Sequence, residues 1–144
     1  MGTLGGDRNN TEEAVMSTQE PRVRKPFDLE ERTAQFGEAV LRFAKTLPMT
    51  PVTMPPIRQL VRSGTNIGAN YCEADDAGSK REFRHRISIC RRKSRETKYW
   101  LRMIAAIVPE AKAPARSLWQ EAKELHLIFG AIFRKAGDPR TAKG

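Results

Sequence analysis

Between Ser79 and Val108, apolar and small residues recur at steps of four and three: Phe83, Ile87, Cys90, Ser94, Thr97, Leu101, Ile104 and Val108. This is the period of a helix packed against other helices. Ser79 followed by Glu82 predicts a capping box at its start. Pro109 predicts its end, because proline cannot continue the ladder of backbone hydrogen bonds. At about 1.5 Å per residue the helix is roughly 45 Å long, enough to run the length of a bundle. A chain with one such helix must supply others to cover the seam.

Three further segments do so. Asp28 with Glu31 predicts a capped start at 28, and Phe36, Val40, Phe43, Ala44 and Leu47 form one stripe before Pro48. After a proline-rich link, Pro55-Pro56 suits a helix entry. The row Ile57, Leu60, Val61, Gly64, Ile67, Gly68 and Tyr71 follows, running to the acidic, glycine-terminated stretch that ends at Gly78. Pro114 opens a last helix with Leu118, Ala122, Leu125, Phe129 and Ile132 inward. No alternating β pattern is present. The reading is all-α: an antiparallel up-down four-helix bundle over 28–136, with helices at about 28–47, 56–77, 79–108 and 114–135. Residues 1–27, rich in polar and turn-forming types, are expected to be a disordered tail, and 137–144 a shorter one. No run resembles a signal peptide or a membrane span, which predicts a cytoplasmic protein with no membrane partner.

Charge distinguishes the third helix from the rest. It carries ten Lys/Arg against two acids, Glu82 and Glu96, and so holds +8 of the chain's +9. Such a concentrated basic surface attracts polyanions. On a helical wheel Lys80, Arg84, Arg91, Arg95, Lys98 and Arg102 fall about 60° to 120° to one side of the seam, in a solvent-facing stripe. The bland reading of a charge run is a solvated face, but here acids too few to neutralise it favour a ligand. On the other flank Ile89, Trp100, Met103 and Ile107 form a second apolar row, about 100° from the seam. An edge helix of a monomer needs one apolar stripe, so this row predicts a contact with another subunit. Tyr99 and Trp100 would alternatively stack on single-stranded bases.

The second helix is chemically unusual. Ser63, Gly64, Thr65, Asn66, Gly68, Ala69 and Asn70 bring small and polar residues into one stretch, which costs helical stability. It lacks the GxGxxG and GxxxxGK[ST] patterns of phosphate-cradling loops and no strand precedes it. Close helix packing at Gly64 and Gly68 is the expectation, with Asn66 or Asn70 bonding across a helix interface. Cys72 and Cys90 read as reduced thiols. Neither His85 nor His126 has metal-type spacing, and Glu73, Asp75 and Asp76 read as a helix end. No cofactor, metal or catalytic residue is predicted; Ser79 and His85 have no triad partners, and the chain does not read as an enzyme.

The run Arg62-Ser63-Gly64-Thr65-Asn66-Ile67-Gly68-Ala69-Asn70-Tyr71-Cys72-Glu73-Ala74 resembles the hallmark of the four-helix bundle proteins related to those encoded by intervening sequences in bacterial 23S rRNA genes. So do Ser79-Lys80-Arg81-Glu82-Phe83 and Glu96-Thr97-Lys98-Tyr99-Trp100-Leu101, and the similarity spans roughly 36–133. The resemblance implies an antiparallel four-helix bundle that assembles into a ring, typically a pentamer. A distant relative is the accessory protein of diversity-generating retroelements, a basic bundle that binds nucleic acid and a reverse transcriptase. Where closer relatives tend to an Ala-Leu-Lys-Glu-like stretch, this chain has Cys90-Arg91-Arg92-Lys93-Ser94-Arg95, which makes the helix more basic. The expected function is a non-enzymatic oligomeric module binding RNA or DNA, as an accessory to a reverse transcriptase or another RNA-processing protein. The alternative is a structural scaffold whose charge serves solubility.

Overall fold

The computed structural model describes residues 28–139. Residues 1–27 and 140–144, where most of the expected tails fall, lie outside the described part. Four α-helices follow one another: α1 Leu29–Lys45, α2 Met54–Asp75, α3 Lys80–Ile107 and α4 Lys112–Ala136, with a 3-10 turn Pro109–Ala111 before α4. Each helix packs on its neighbour in sequence, and α1 also meets α4 more sparsely. Backbones of diagonal pairs do not come within 8 Å Cα to Cα, the arrangement of an up-down-up-down bundle. Among the described residues no strand is present.

The helix ends follow from local chemistry. Asp28 accepts a hydrogen bond from the Glu31 backbone N–H at 3.4 Å. Ser79 accepts one from Glu82 N at 3.1 Å, and the Glu82 carboxylate reaches back to Gly78 N at 3.3 Å, one residue before the usual capping-box donor. The first link is closed by a reciprocal pair: Thr50 N donates to Thr53 Oγ1 at 2.8 Å and Thr53 N to Thr50 Oγ1 at 3.1 Å. That turn lets α2 start at Met54, ahead of its two prolines. Helix α4 likewise starts at Lys112, two residues before Pro114. Proline is tolerated in a first turn, whose N–H groups have no intrahelical partner.

The α3 seam is the centre of the core. Ile87, Cys90, Ser94, Thr97, Leu101, Ile104 and Val108 are buried, and Phe83 at its open end is half-buried. Two polar members of the seam are satisfied locally or across it. Ser94 donates to the Cys90 carbonyl at 2.8 Å, and Thr97 donates to Ser63 Oγ on α2 at 2.9 Å. Two more bonds tie α3 to α2, from Cys90 Sγ to the Ile67 carbonyl at 3.5 Å and from Arg86 to Asn70 Oδ1 at 3.1 Å. Asn70 also donates to the Asn66 carbonyl at 2.9 Å. Burial pushes the Cys90 thiol up to about 12, so it is an inert packing group.

The other side of the same α2 stretch meets α1. A Cβ added at Gly64 would stand 2.9 Å from Val40 Cγ2, and one at Gly68 3.1 Å from Thr33 Oγ1. The first is closer than packed side chains come, and the second is tighter than most such contacts. Gly37 on α1 has more room, its nearest neighbour being Thr65 Cα at 3.7 Å. These distances predict opposite outcomes for one substitution. Gly64→Ala gains about 1 kcal/mol of helix propensity but overpacks Val40 by about 1–3 kcal/mol, for a net loss of stability. Gly37→Ala gains propensity without a clash and stabilises by about 0.5–1 kcal/mol. Thermal melts of the two variants read the difference, and a stabilised Gly64→Ala would refute the close seam.

Candidate nucleic-acid interface

Helix α3 packs on α4 along the flank that carries its cations, so the stripe borders a groove between two helices. Arg91, Arg95 and Arg102 are exposed, and Lys80 is exposed at the start of α3. Lys98 is half-buried, its Nζ 5.5 Å from the centre of the Trp119 ring on α4. No ion pair among the described residues involves Arg84, Arg91, Arg95, Lys98 or Arg102.

Arg84 departs from the solvent-facing stripe in which the sequence placed it. It is half-buried, its guanidinium carbon stands 3.8 Å above the Phe133 ring, and Nε donates to the Phe133 carbonyl at 3.2 Å. That carbonyl belongs to the last turn of α4, where a cation meets the negative end of the helix dipole. Gly137 provides the room: a Cβ there would stand 2.6 Å from Arg84 Nη2. Arg84 therefore caps α4 and closes one end of the groove. The wheel of α3 alone could not find this, because both partners lie some fifty residues further along the chain.

Helix α4 adds residues that the sequence analysis did not assign to the stripe. Lys123 lies 5.8 Å from the Trp119 ring centre. Gly130 is buried beneath Arg91 and Arg134, whose Nε and Nη1 would lie 3.7 and 3.4 Å from a Cβ at that position. Between Trp119 and Gly130 sits His126, half-buried. Burial, and then the charges of Lys98, Arg91 and Arg95, hold its imidazole below the usual range. The α4 carboxylates face the other way. Glu121 accepts from Arg32 of α1 at 2.7 Å and Glu124 at 3.3 Å, and the Glu121 bond raises the Arg32 guanidinium. A wheel of α4 carried the signal, since His126 falls about 100° from the Leu125 core position, on the side of Trp119.

The second apolar row occupies the opposite flank of α3, beside Arg86. Ile89, Trp100 and Met103 are half-buried, and Ile107 is exposed. Trp100 packs against the core and stands edge-on to the exposed Tyr99, ring centres 4.9 Å apart. Of the packing residues, Gly64 and Gly68 line the α1 seam and Asn70 bonds to α3. The Asn66 carbonyl accepts from Asn70. Among the described residues, no three His, Cys, Asp or Glu side chains gather as a metal site. No helix among them is long and apolar enough to cross a membrane.

The groove predicts a split between its cations. Arg84→Ala removes the ring contact and the cap and lowers stability by about 1–2 kcal/mol. Arg95→Ala, on the open surface, changes it by less than about 0.5 kcal/mol. Urea unfolding of both variants measures this, and equal effects would contradict the division.

Comparison with known proteins places this architecture. A protein of unknown function from the S23 ribosomal protein family of Bacteroides thetaiotaomicron has a similar solved structure, with a TM-score of 0.64 and 24% identity. The similarity covers 72% of this chain and 96% of that one. No curated protein is significantly similar in sequence. The model of the 23S rRNA-intervening sequence protein family matches residues 26–130, most of the described helices, and the chain belongs to that family.

Proposed function

We propose that this protein is a non-enzymatic binding module whose α3/α4 groove holds the phosphate backbone of RNA or DNA. One observation carries the reading: the exposed cations of α3 border a groove to which α4 adds further cations and turns no carboxylate. The two α4 carboxylates that could have neutralised it are taken by Arg32 on the far flank. Arg91, Arg95, Lys98 and Arg102, in no ion pair among the described residues, exchange mobile counterions for phosphates, which drives association. Phosphate contacts of this kind fix position without reading bases, so binding is weakly sequence-specific. The family's name links its members to rRNA genes, which is compatible with an RNA ligand and with a role beside a reverse transcriptase or another RNA-processing protein.

Self-association belongs to the same reading. Ile107 is 40% exposed and Tyr99 53%, on or beside the flank that carries the half-buried Ile89, Trp100 and Met103. A second copy, in a ring of the pentameric kind that the family resemblance implies, would cover this flank and repeat the basic groove by symmetry. A half-buried apolar row with an exposed end suits a protein contact. Trp100→Glu is expected to shift the particle to monomer in light scattering while helical circular dichroism persists. A native protein that is monomeric at micromolar concentration would contradict the ring.

The groove itself is tested by fluorescence anisotropy with RNA and DNA oligomers across a salt series. With about four phosphates neutralised on a single strand, log K falls against log salt with a slope near −3. Replacing Arg91, Arg95 and Arg102 with Glu is expected to weaken binding by at least about a hundredfold and leave the oligomer intact. Absence of binding by the native protein at low salt, or full binding by the triple variant, would overturn the reading.

A further inference from the structure

His126 sits inside the basic groove, yet a phosphate-binding surface needs no imidazole. Its position is fixed by its helix neighbours. One turn further along α4, Gly130 carries the Arg91 side chain over it, and two turns back Trp119 lies against Lys98. His126 is therefore on the side of α4 that faces the α3 cations, where it is half-buried. From α3 the charged groups that face it are Lys98, Arg91 and Arg95. On its own helix Lys123 lies one turn away, over Trp119, and Arg134 reaches back over Gly130 beside Arg91. From α1, the charged group directed at α4 is Arg32, held by Glu121 and Glu124 on the other flank. Glu110 of the 3-10 turn precedes α4, about 24 Å away along the helix axis.

We infer that His126 is a further phosphate-contacting residue of this groove, and that it takes up a proton when a polyanion binds. The inference rests on the groove reading above. In the free protein partial burial, and then the surrounding cations, hold the imidazole below its usual range and favour the neutral form, which offers one N–H donor. A phosphate in the groove screens the cations and supplies an acceptor that favours imidazolium. The midpoint of His126 must then rise on binding. Between the free and bound midpoints, each binding event takes a proton from solution. By linkage the affinity increases as pH falls through that window and levels off on either side of it. The groove thus gains a cation from α4 on acidification, beside the permanently charged Lys and Arg of α3.

The test uses the full chain and a tetramethylrhodamine-labelled uridylate single strand of about twenty nucleotides, because neither the label, uracil nor a phosphodiester titrates between about pH 5.5 and 7.5. At fixed ionic strength the native protein is expected to bind more tightly at the acid end, about tenfold for each unit by which binding raises the His126 midpoint. His126→Gln flattens that profile whatever its absolute affinity. His85→Gln, an exposed histidine outside the groove, keeps the native profile. A second measurement needs no variant: NMR titration of the imidazole resonances shows the His126 midpoint below the usual histidine range in the free protein and rising when the oligomer is added. A native profile that does not change with pH, a slope surviving in His126→Gln, or a His126 midpoint unmoved by the oligomer overturns the inference and leaves the groove reading standing. No binding at either pH overturns both.

Discussion

The bundle depends on one short stretch of α2, Ser63 to Asn70, which has a different partner on each side. Toward α1, Gly64 lets Val40 approach to a distance that a methyl group would forbid, and Gly68 lets Thr33 approach more closely than side chains ordinarily pack. Toward α3, Ser63, the Ile67 carbonyl and Asn70 accept bonds from Thr97, Cys90 and Arg86. The three pairs run in opposite directions along the two helices and fix one antiparallel register. Apolar packing alone tolerates slippage, because hydrophobic surfaces are only weakly directional. Buried hydroxyls and a carbonyl are less forgiving, since a shifted register leaves them unsatisfied at a cost of about 1–3 kcal/mol each. This accounts for glycines and serine where helix propensity alone would call for alanine and leucine.

With α2 locked in place, α3 has one flank left to meet α4, and that flank carries the cations. Most helix pairs in water solve this by ion pairs across the contact. Here the charged heads of Arg84 and Lys98 stand instead over the rings of Phe133 and Trp119, and Arg91 passes over Gly130, the cations being drawn to the aromatic faces. The cations stand close together with no anion of the described residues between them, so they repel one another, and after burial their charges also depress His126. A protein that tolerates such repulsion in its free state is relieved of it by a polyanion, and that relief is the physical basis of the function proposed for the groove.

Most of the fold was legible, because period and punctuation act locally. The α3 seam followed from its spacing, and its stop from Pro109; α1, α2 and α4 followed from similar rows. The starts of α2 and α4 came earlier than proline suggested, because the Thr50–Thr53 turn and the 3-10 turn prepare the helix before the ring is reached. The stripe was legible only from one side. Its six cations sit at the right angles on α3, but a wheel cannot tell open solvent from a neighbouring helix. Arg84 was thus taken for a surface cation, although Phe133 and Gly137 make it a cap. His126 and Lys123 were passed over because metal and catalytic spacing was sought, whereas their significance is a face shared with Trp119. Contacts between residues far apart in sequence leave no local trace, and the Arg32–Glu121 pair is of that kind.

The central claim is that the ligand lies along the α3/α4 groove. The most direct measurement is a backbone and side-chain NMR perturbation map of the native protein on addition of a short RNA strand at low salt. The account predicts that shifts concentrate at Arg91, Arg95, Lys98 and Arg102 on α3 and at Lys123 and His126 on α4, with Ile89 and Met103 unmoved. Perturbations centred on Ile89, Trp100 and Met103, or none anywhere, would contradict it.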